Sequence, residues 1–596
     1  MTLADAPERG RALEAAGLPE NATLRIGREK SPYLFLAIFG AWAFALGHFG
    51  PRMFSLLDLA SGGFAYASIA FFAVFAQVAW LYGFYNIAVV VFAAIERSKR
   101  APLNFPSLAT TPSVAVLYTT CDDFVERSAA SCVSIDYPDY HVYILDDSRT
   151  DAAKARVDAF AERHLGRVTV VRRANKAGFK AGNLNHALKH IAHEPYFAVV
   201  DADEILPADF LTGLMPYLAG DSACGFVQAN HNSRPDAESA LARDMGIGID
   251  IHWKWYQPLR NRYGFVMFLG HGALLRRSCW EEVGGFPELV SEDLAYAIAL
   301  RERGYHGVFA PDTMCLEEFP ETVRAFRVRH VKWTRGTCEF LHRWMLRLLR
   351  AKNITTSEKL DILFPTLNLP LTFVFFLFMV NAAFFLPVAL GQVQDLTLVV
   401  AGREFVVPTL AFKPGVERIF GLDFFAITLL TIVAPILCFI VELASRPKRL
   451  IRFLAHSTAL YAALSPLSFI AVVGYAVTRR AQFLVTGSTR ARDQRRENGV
   501  LGFLSQTHPD SKIVQGFEFM TGAAFLAAAL MTFQIGFAGV AIGFMLMALM
   551  HDLGWRHKSI GVLAWAPFSL VALSVLLGTT GVMGLQPVFF GFGFHF

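Results

Sequence analysis

Two carboxylates one residue apart, Asp201 and Asp203, follow the apolar run Phe197-Ala198-Val199-Val200. A run of that kind reads as a buried parallel strand, and α/β sheets bind ligands at the carboxyl ends of their strands. Carboxylates spaced i, i+2 at such an edge can hold a hard cation, Mg2+ or Mn2+, against a diphosphate. Alone, an Asp-x-Asp is more often a solvated turn; the strand before it is what gives it weight. Asp146-Asp147-Ser148 repeats the arrangement after Val142-Tyr143-Ile144-Leu145. A carboxylate there can accept hydrogen bonds from a base or a ribose. Lys180-Ala181-Gly182-Asn183 puts a cation and small residues ahead of a helical pattern, which suits phosphate or base contact. Ser291-Glu292-Asp293 opens another helix. Adjacent acids raise each other's pKa, which suits a general base, although an acidic first turn is also ordinary capping. Arg329-His330-Val331-Lys332-Trp333 joins two cations that can meet a pyrophosphate to an indole that can stack on a sugar ring.

These groups fall in the polar middle of an otherwise apolar chain. The 596 residues are 54% hydrophobic and only 18% charged, too apolar for an average soluble protein. In 101–345, short apolar runs alternate with helical patterns: Ser113–Tyr118, His141–Leu145, Val168–Val171, Tyr196–Val200 and Gly225–Gln228. Such alternation predicts a parallel sheet with helices on both faces. The flanks carry runs long enough to cross a bilayer. The first is Pro32–Phe49 after Arg25, Arg28 and Lys30; the second is Phe64–Ala94 before Glu96-Arg97-Ser98-Lys99-Arg100. Ile362–Leu390 and Phe424–Leu443 follow, with two or three more in Phe517–Met550 and Ile560–Gly584, where Gly536–Gly539 reads as a break. Basic clusters at their ends mark the cytosolic side. Leu341–Lys352 reads as a basic amphipathic helix at the membrane surface. Residues 453–478 are read as interfacial, because crossing would put the basic segment 479–497 outside.

The resulting division is a cytosolic N-terminal segment 1–31, membrane helices 32–100, the cytosolic domain 101–345, and an interfacial helix with membrane helices 346–452. That fourth unit includes an outer polar loop, 391–421. An interfacial and cytosolic segment 453–515 and C-terminal membrane helices 516–596 complete it. The first apolar run is followed by no small-residue cleavage site, so a cleavable signal is not expected. Net charge is +5, and the basic residues form no single stripe, which argues against nucleic acid. Seven cysteines, none in a CxxC pair, argue against a disulfide framework and a zinc site. Six of them lie in the polar middle, as suits a reducing cytosol.

Taken in order, the motifs resemble those of family 2 glycosyltransferases, and specifically cellulose-synthase-like membrane synthases. They read Thr119-Thr120-Cys121-Asp122-Asp123, Asp146-Asp147-Ser148, Lys180–Asn183, Asp201–Asp203, Met267-Phe268-Leu269-Gly270-His271, Ser291–Asp293 and Arg329–Trp333. Phe483-Leu484-Val485-Thr486 resembles the start of that family's gating-loop motif, FxVTxK. The resemblance implies a GT-A, Rossmann-like α/β domain on the cytosolic side of an α-helical membrane bundle, in a bacterial inner membrane. By the same resemblance, Thr120, Asp123, Asp147, Lys180, Asp201, Arg329 and Lys332 would bind the donor nucleotide, and Asp201 and Asp203 the metal. Asp293 would deprotonate the acceptor hydroxyl, Trp333, Gly270 and His271 would meet the acceptor, and Phe483, Val485 and Thr486 would form the gating loop. The implied reaction is an inverting transfer from a UDP-sugar, UDP-glucose first, that polymerises and exports a β-glucan. The alternative is a single addition to a lipid acceptor. Membrane lipid, the growing glycan and a periplasmic subunit at the outer loop are the implied partners. The chain departs from the QxxRW pattern at Arg329 and Lys332, and lysine lacks arginine's planar fork for pyrophosphate. His271 stands where the pattern has serine, and Ser488 where the gating motif has lysine. A transporter without catalysis would leave all of these motifs unexplained. Trp253 and Trp255 offer further stacking surface, with packing the expected role.

Overall fold

The computed structural model describes residues 29–99, 111–413, 422–461, 464–479, 508–532 and 534–579, with Gly27, Val416 and Ala481. Two long helices, α1 (Tyr33–Ser55) and α2 (Gly63–Lys99), lead into a seven-stranded sheet. Its strands are β1 (Val114–Thr120), β2 (Tyr140–Asp146), β3 (Val168–Val171), β4 (Tyr196–Asp201), β5 (Cys224–Ser233), β6 (Ala273–Arg276) and β7 (His306–Glu317). The order is β3-β2-β1-β4-β6-β5-β7.

The strands fold as they do because alternate side chains feed two cores. Val114, Val116 and Tyr118 of β1 pack with Val142, Ile144, Ala198 and Val200 on one face. Ala115 and Leu117 pack with Leu145, Phe197 and Val199 on the other. There Ala181, Leu184, Ala187 and Leu188 of α3 (Phe179–His190) cover the sheet. Each fully buried Val, Leu or Phe in these layers contributes roughly 1.5–3 kcal/mol.

The expected parallel sheet is corrected to a mixed one: β6 runs antiparallel between β4 and β5. This has a positional consequence. Registers Thr120↔Asp146 and Thr119↔Asp201 bring the ends of β1, β2 and β4 level. Because β6 runs the other way and pairs Ala273 with Val199, the chain entering it, Met267–Gly272, lies at that same edge. β7 is parallel to β5 and ends there with Glu317 opposite Ser233.

Two further helices complete the edge. α4 (Glu292–Glu302) starts at the acidic pair. α5 (Val323–Arg350) begins just after β7 and carries both Arg329–Trp333 and the basic stretch from Leu341, so the surface helix and the motif are one continuous element. After α6 (Thr356–Val380) and a π-helical turn to Leu390, residues 391–412 form a hairpin of β8 (Gly391–Val400) and β9 (Arg403–Phe412) rather than a loop. Ala401 and Gly402, with φ of 52° and 77°, turn it.

Among the described residues, eight helical stretches are long and apolar enough to cross a membrane by length and composition. One is Pro447–Thr478, expected at the interface. Its first half docks on the sheet domain, where Asp244 faces Arg452 at 3.1 Å and His456 at 3.3 Å. Its second half, α7 (Ser465–Thr478), packs on α5 and α6. The last three stretches include α8 (Lys512–Met531) and α9 (Ile535–Leu553). The break between those two falls at Thr532–Gln534, before Gly536 and Gly539, which lie inside α9.

Candidate active site

The sequence motifs converge on one cleft at the carboxyl edge of the sheet. Lys180, from the first turn of α3, pairs with Asp201 and donates to the Gly270 carbonyl at 2.8 Å. Gly270 adopts a φ of +87°, and a Cβ there would lie 3.3 Å from Asp293 Oδ2 and 3.7 Å from Lys180 Nζ. Asp201, Lys180, Gly270 and Asp293 therefore form one contiguous set. Thr119 Oγ1 donates to Asp201 Oδ1 at 3.0 Å and fixes its rotamer. Asp293 Oδ1 accepts from the Leu294 N–H at 2.7 Å, anchoring the carboxylate on the helix start.

Electrostatics separate these carboxyls. Burial would raise Asp201, but Lys180 and His271 outweigh it and hold its pKa below the ordinary range. Asp203 reaches solvent in the cleft, yet the surrounding protein and the Asp201 charge push it up to about 7. Its side chain makes no hydrogen bond or ion pair among the described contacts. Two carboxylates crowded at one strand end, one of them raised by the other, fit a divalent metal at Asp201 and Asp203. Glu292 is buried and pushed up to about 8 by that burial and by Asp293. Asp293 is raised too, chiefly by burial, with the Leu294 N–H and Lys180 opposing.

At the other end of the cleft, Thr120 Oγ1 and the Cys121 N–H donate to Asp123 Oδ1 at 2.9 and 2.7 Å. Asp147 is held bidentately by Arg173, at 3.1 and 2.6 Å. Lys176 Nζ donates to the carbonyls of Asp147 and Ser148 at 2.6 and 2.7 Å. Asp122, with φ of 64°, accepts from the Arg149 and Thr150 N–H groups and ties the β1 loop to the β2 loop. Arg173, Lys176 and Asp122 were not singled out in sequence. A second Lys-Ala-Gly, Lys176–Gly178, four residues before the first was the available signal.

α5 lines the remaining wall. Lys332 is near enough to Asp201 and Glu292 for both to oppose the lowering of its pKa by burial. Trp333 is 49% exposed, a free face for stacking. Arg329 does not project alone: its guanidinium carbon lies 4.9 Å from the Phe319 ring, 5.9 Å from Phe326 and 4.7 Å from Trp333. In this position it buttresses Trp333. His271 reaches into the cleft between Glu204 and Glu317, each at 3.5 Å. Burial would lower its pKa, but these carboxylates and Asp201 push it up to about 10. Trp253 and Trp255 are both buried and act in packing. Phe483, Val485 and Thr486 lie outside the described residues.

Residues 112–336 match the model of the glycosyltransferase like family 2. Glucomannan 4-beta-mannosyltransferase 1 of Oryza sativa subsp. japonica is 28% identical over 259 residues, 41% of this chain and 50% of that protein. The UDP-forming cellulose synthase 1 catalytic subunit of Komagataeibacter xylinus is 27% identical over 290 residues, 46% of this chain and 36% of that protein. The chain thus spans half or less of the length of these relatives. Among solved structures, a mannosyltransferase from Pyrobaculum calidifontis in complex with GDP-Man and Mn2+ superposes with a TM-score of 0.35 at 21% identity, covering 55% of this chain and 85% of the other. The likeness to family 2 glycosyltransferases thus covers residues 112–336 of the 596.

Proposed function

We propose that this protein is a membrane-embedded, inverting hexosyltransferase that extends a β-linked polysaccharide from a nucleotide-sugar donor and passes the product through its helical bundle. The observation that carries this reading is the set Asp201–Lys180–Gly270–Asp293. Asp201, through Lys180, and Asp293 both sit beside Gly270, which supports a diphosphate-binding carboxylate and a raised-pKa base at one point. Asp293 takes the proton of the acceptor hydroxyl, whose oxygen attacks the anomeric carbon from the face opposite the departing diphosphate. Burial keeps Asp293 basic enough for that task. Lys180 holds Asp201 in place, and Lys332 with Lys180 supplies positive charge where the leaving group develops negative charge. A Mg2+ or Mn2+ ion held by Asp201 and Asp203 would neutralise the diphosphate when bound. Thr120, Asp123 and Asp147 bound the nucleoside end, while Trp333, with Gly270 and His271 beside it, offers the acceptor a stacking face.

The exposed indole and the apolar helices flanking the domain support a polymer that leaves through the membrane. The basic clusters after α2 and after Leu443 support a cytosolic position for the catalytic domain. One relative is named as UDP-forming and another as a mannosyltransferase, so both UDP- and GDP-hexoses are tested as donors. The test is transfer by purified protein in nanodiscs from labelled UDP- and GDP-hexoses with Mn2+. High-mass product sensitive to a β-specific glycosidase is expected. Label confined to an organic-extractable lipid would replace the polymer with a glycolipid, and no transfer from any donor would refute the reading.

A further inference from the structure

Glu204 follows the Asp-x-Asp pair by one residue and, apart from facing His271, has no role in the reading above. It is wholly buried. Its Oε1 lies 2.7 Å from His231 Nε2 and 3.5 Å from His271 Nδ1. Its Oε2 accepts from the Gly272 N–H at 3.1 Å and from the Asp201 N–H at 3.4 Å. Its backbone carbonyl accepts from Ser128 Oγ. The surroundings are filled to contact. The His231 ring stacks on Trp253 at 4.1 Å, and the Trp253 N–H donates to Glu317, the second carboxylate beside His271. A Cβ on Gly272 would fall 2.3 Å from His231 Nε2 and 2.4 Å from Glu204 Oε1.

A carboxylate in such a place costs several kcal/mol in desolvation, and apolar packing would serve stability as well or better. What apolar packing cannot do is draw polar groups from separate segments onto one point. Those segments are the Asp201–Asp203 turn on the donor side, β5 through His231, and Gly270–Gly272 on the acceptor side.

We propose that Glu204 is a positioning residue whose buried carboxylate clamps the Asp201–Asp203 turn against the Gly270–Gly272 segment, setting the separation between donor and acceptor. This rests on the transferase reading above. In transfer, the acceptor oxygen bonds to the anomeric carbon as the bond to the diphosphate breaks, the electron pair leaving with the diphosphate and the acceptor proton passing to Asp293. Water in place of the acceptor gives hydrolysis. A clamp that slips misaligns a large, oriented acceptor far more than it hinders water, and a displacement of about 1 Å can cost on the order of 100-fold.

The readout is the ratio of free sugar to transferred sugar at saturating donor, which does not depend on the folded fraction. Glu204→Gln removes the charge with little change in volume, and the ratio is expected to rise about tenfold or more. His231→Gln touches neither donor nor acceptor and keeps an N–H for Glu204; it is expected to raise the ratio about threefold, and it decides the matter should Glu204→Gln fail to fold. Hydrolysis and transfer falling together, with the ratio unchanged in the folded variants, would overturn the clamp alone. A wild-type chain that transfers from no donor would remove the transferase reading and the clamp with it.

Discussion

Replacing Gly270 by alanine should damage chemistry more than folding. Two effects are separable. A non-glycine residue in the left-handed region costs about 1–2 kcal/mol, and Gly270 sits there at +87°. The added Cβ would also press on Asp293, with Oδ2 at 3.3 Å, closer than most carbon contacts, and Cβ at 3.6 Å, and then on Lys180 Nζ at 3.7 Å. Relief requires the base to retreat by a few tenths of an ångström. If misplacement by about 1 Å costs on the order of 100-fold, kcat should fall roughly 10-fold or somewhat more. Gly284 provides the matched control. Its φ is +90°, and nothing lies within 4 Å of the Cβ position. Gly284→Ala bears the same backbone cost without approaching the cleft. Initial rates and thermal stability would be measured for both variants in nanodiscs. Equal losses of stability, with activity lost only in Gly270→Ala, are expected. Wild-type kcat in Gly270→Ala, or equal loss of kcat in both, would refute the placement of Gly270 against the base.

Three further outcomes are expected. Trp333→Ala should raise the acceptor KM about tenfold, equivalent to ~1.4 kcal/mol; Trp255→Phe, in a buried ring stacked by Arg97, should leave that KM alone. Arg327 of α5 and Glu518 of α8 form a wholly buried pair at 2.5 Å. Arg327→Met should therefore destabilise the protein by roughly 3–5 kcal/mol, and the double variant with Glu518→Met should recover most of it, as thermal unfolding would show. Burial raises the Asp293 pKa, so it takes up its proton at a higher pH than an ordinary aspartate, and kcat should fall on acidification before the ordinary aspartate range, about pH 4, is reached; a rate unchanged down to about pH 4 would contradict this.

The parts of the site legible in sequence were those attached to single strands. β1, β2 and β4 are continuous apolar runs because both faces are covered, so the acids that follow them announce a sheet edge. β6 was missed because Ala273-Leu274-Leu275-Arg276 has no β-branched or aromatic residue and runs straight into the helix Arg277–Val283, and β7 because Pro311–Thr313 interrupt it; the pairing skips from Ala229↔Ala310 to Asn230↔Met314 across a bulge. Missing these two strands concealed how Met267–His271 reaches the edge. Glu204 was illegible for a different reason. Its partners Asp201, His231, His271 and Gly272 come from three segments, and no local spacing reports such a hub. The role of Arg329 depends likewise on Phe319 and Phe326, ten and three residues away, which no cationic pattern points to. The hairpin 391–412 was read as a loop because its polar residues were weighed without their alternation.

The most direct measurement is on Asp293. Transfer and donor affinity would be determined for the wild type and Asp293→Asn with the donor the wild type uses. Transfer should drop about 1,000-fold in the variant, the scale of losing a general base, while calorimetric Kd for the nucleotide-sugar stays within about threefold. Transfer that survives in Asp293→Asn would contradict the assignment of this cleft as the catalytic centre.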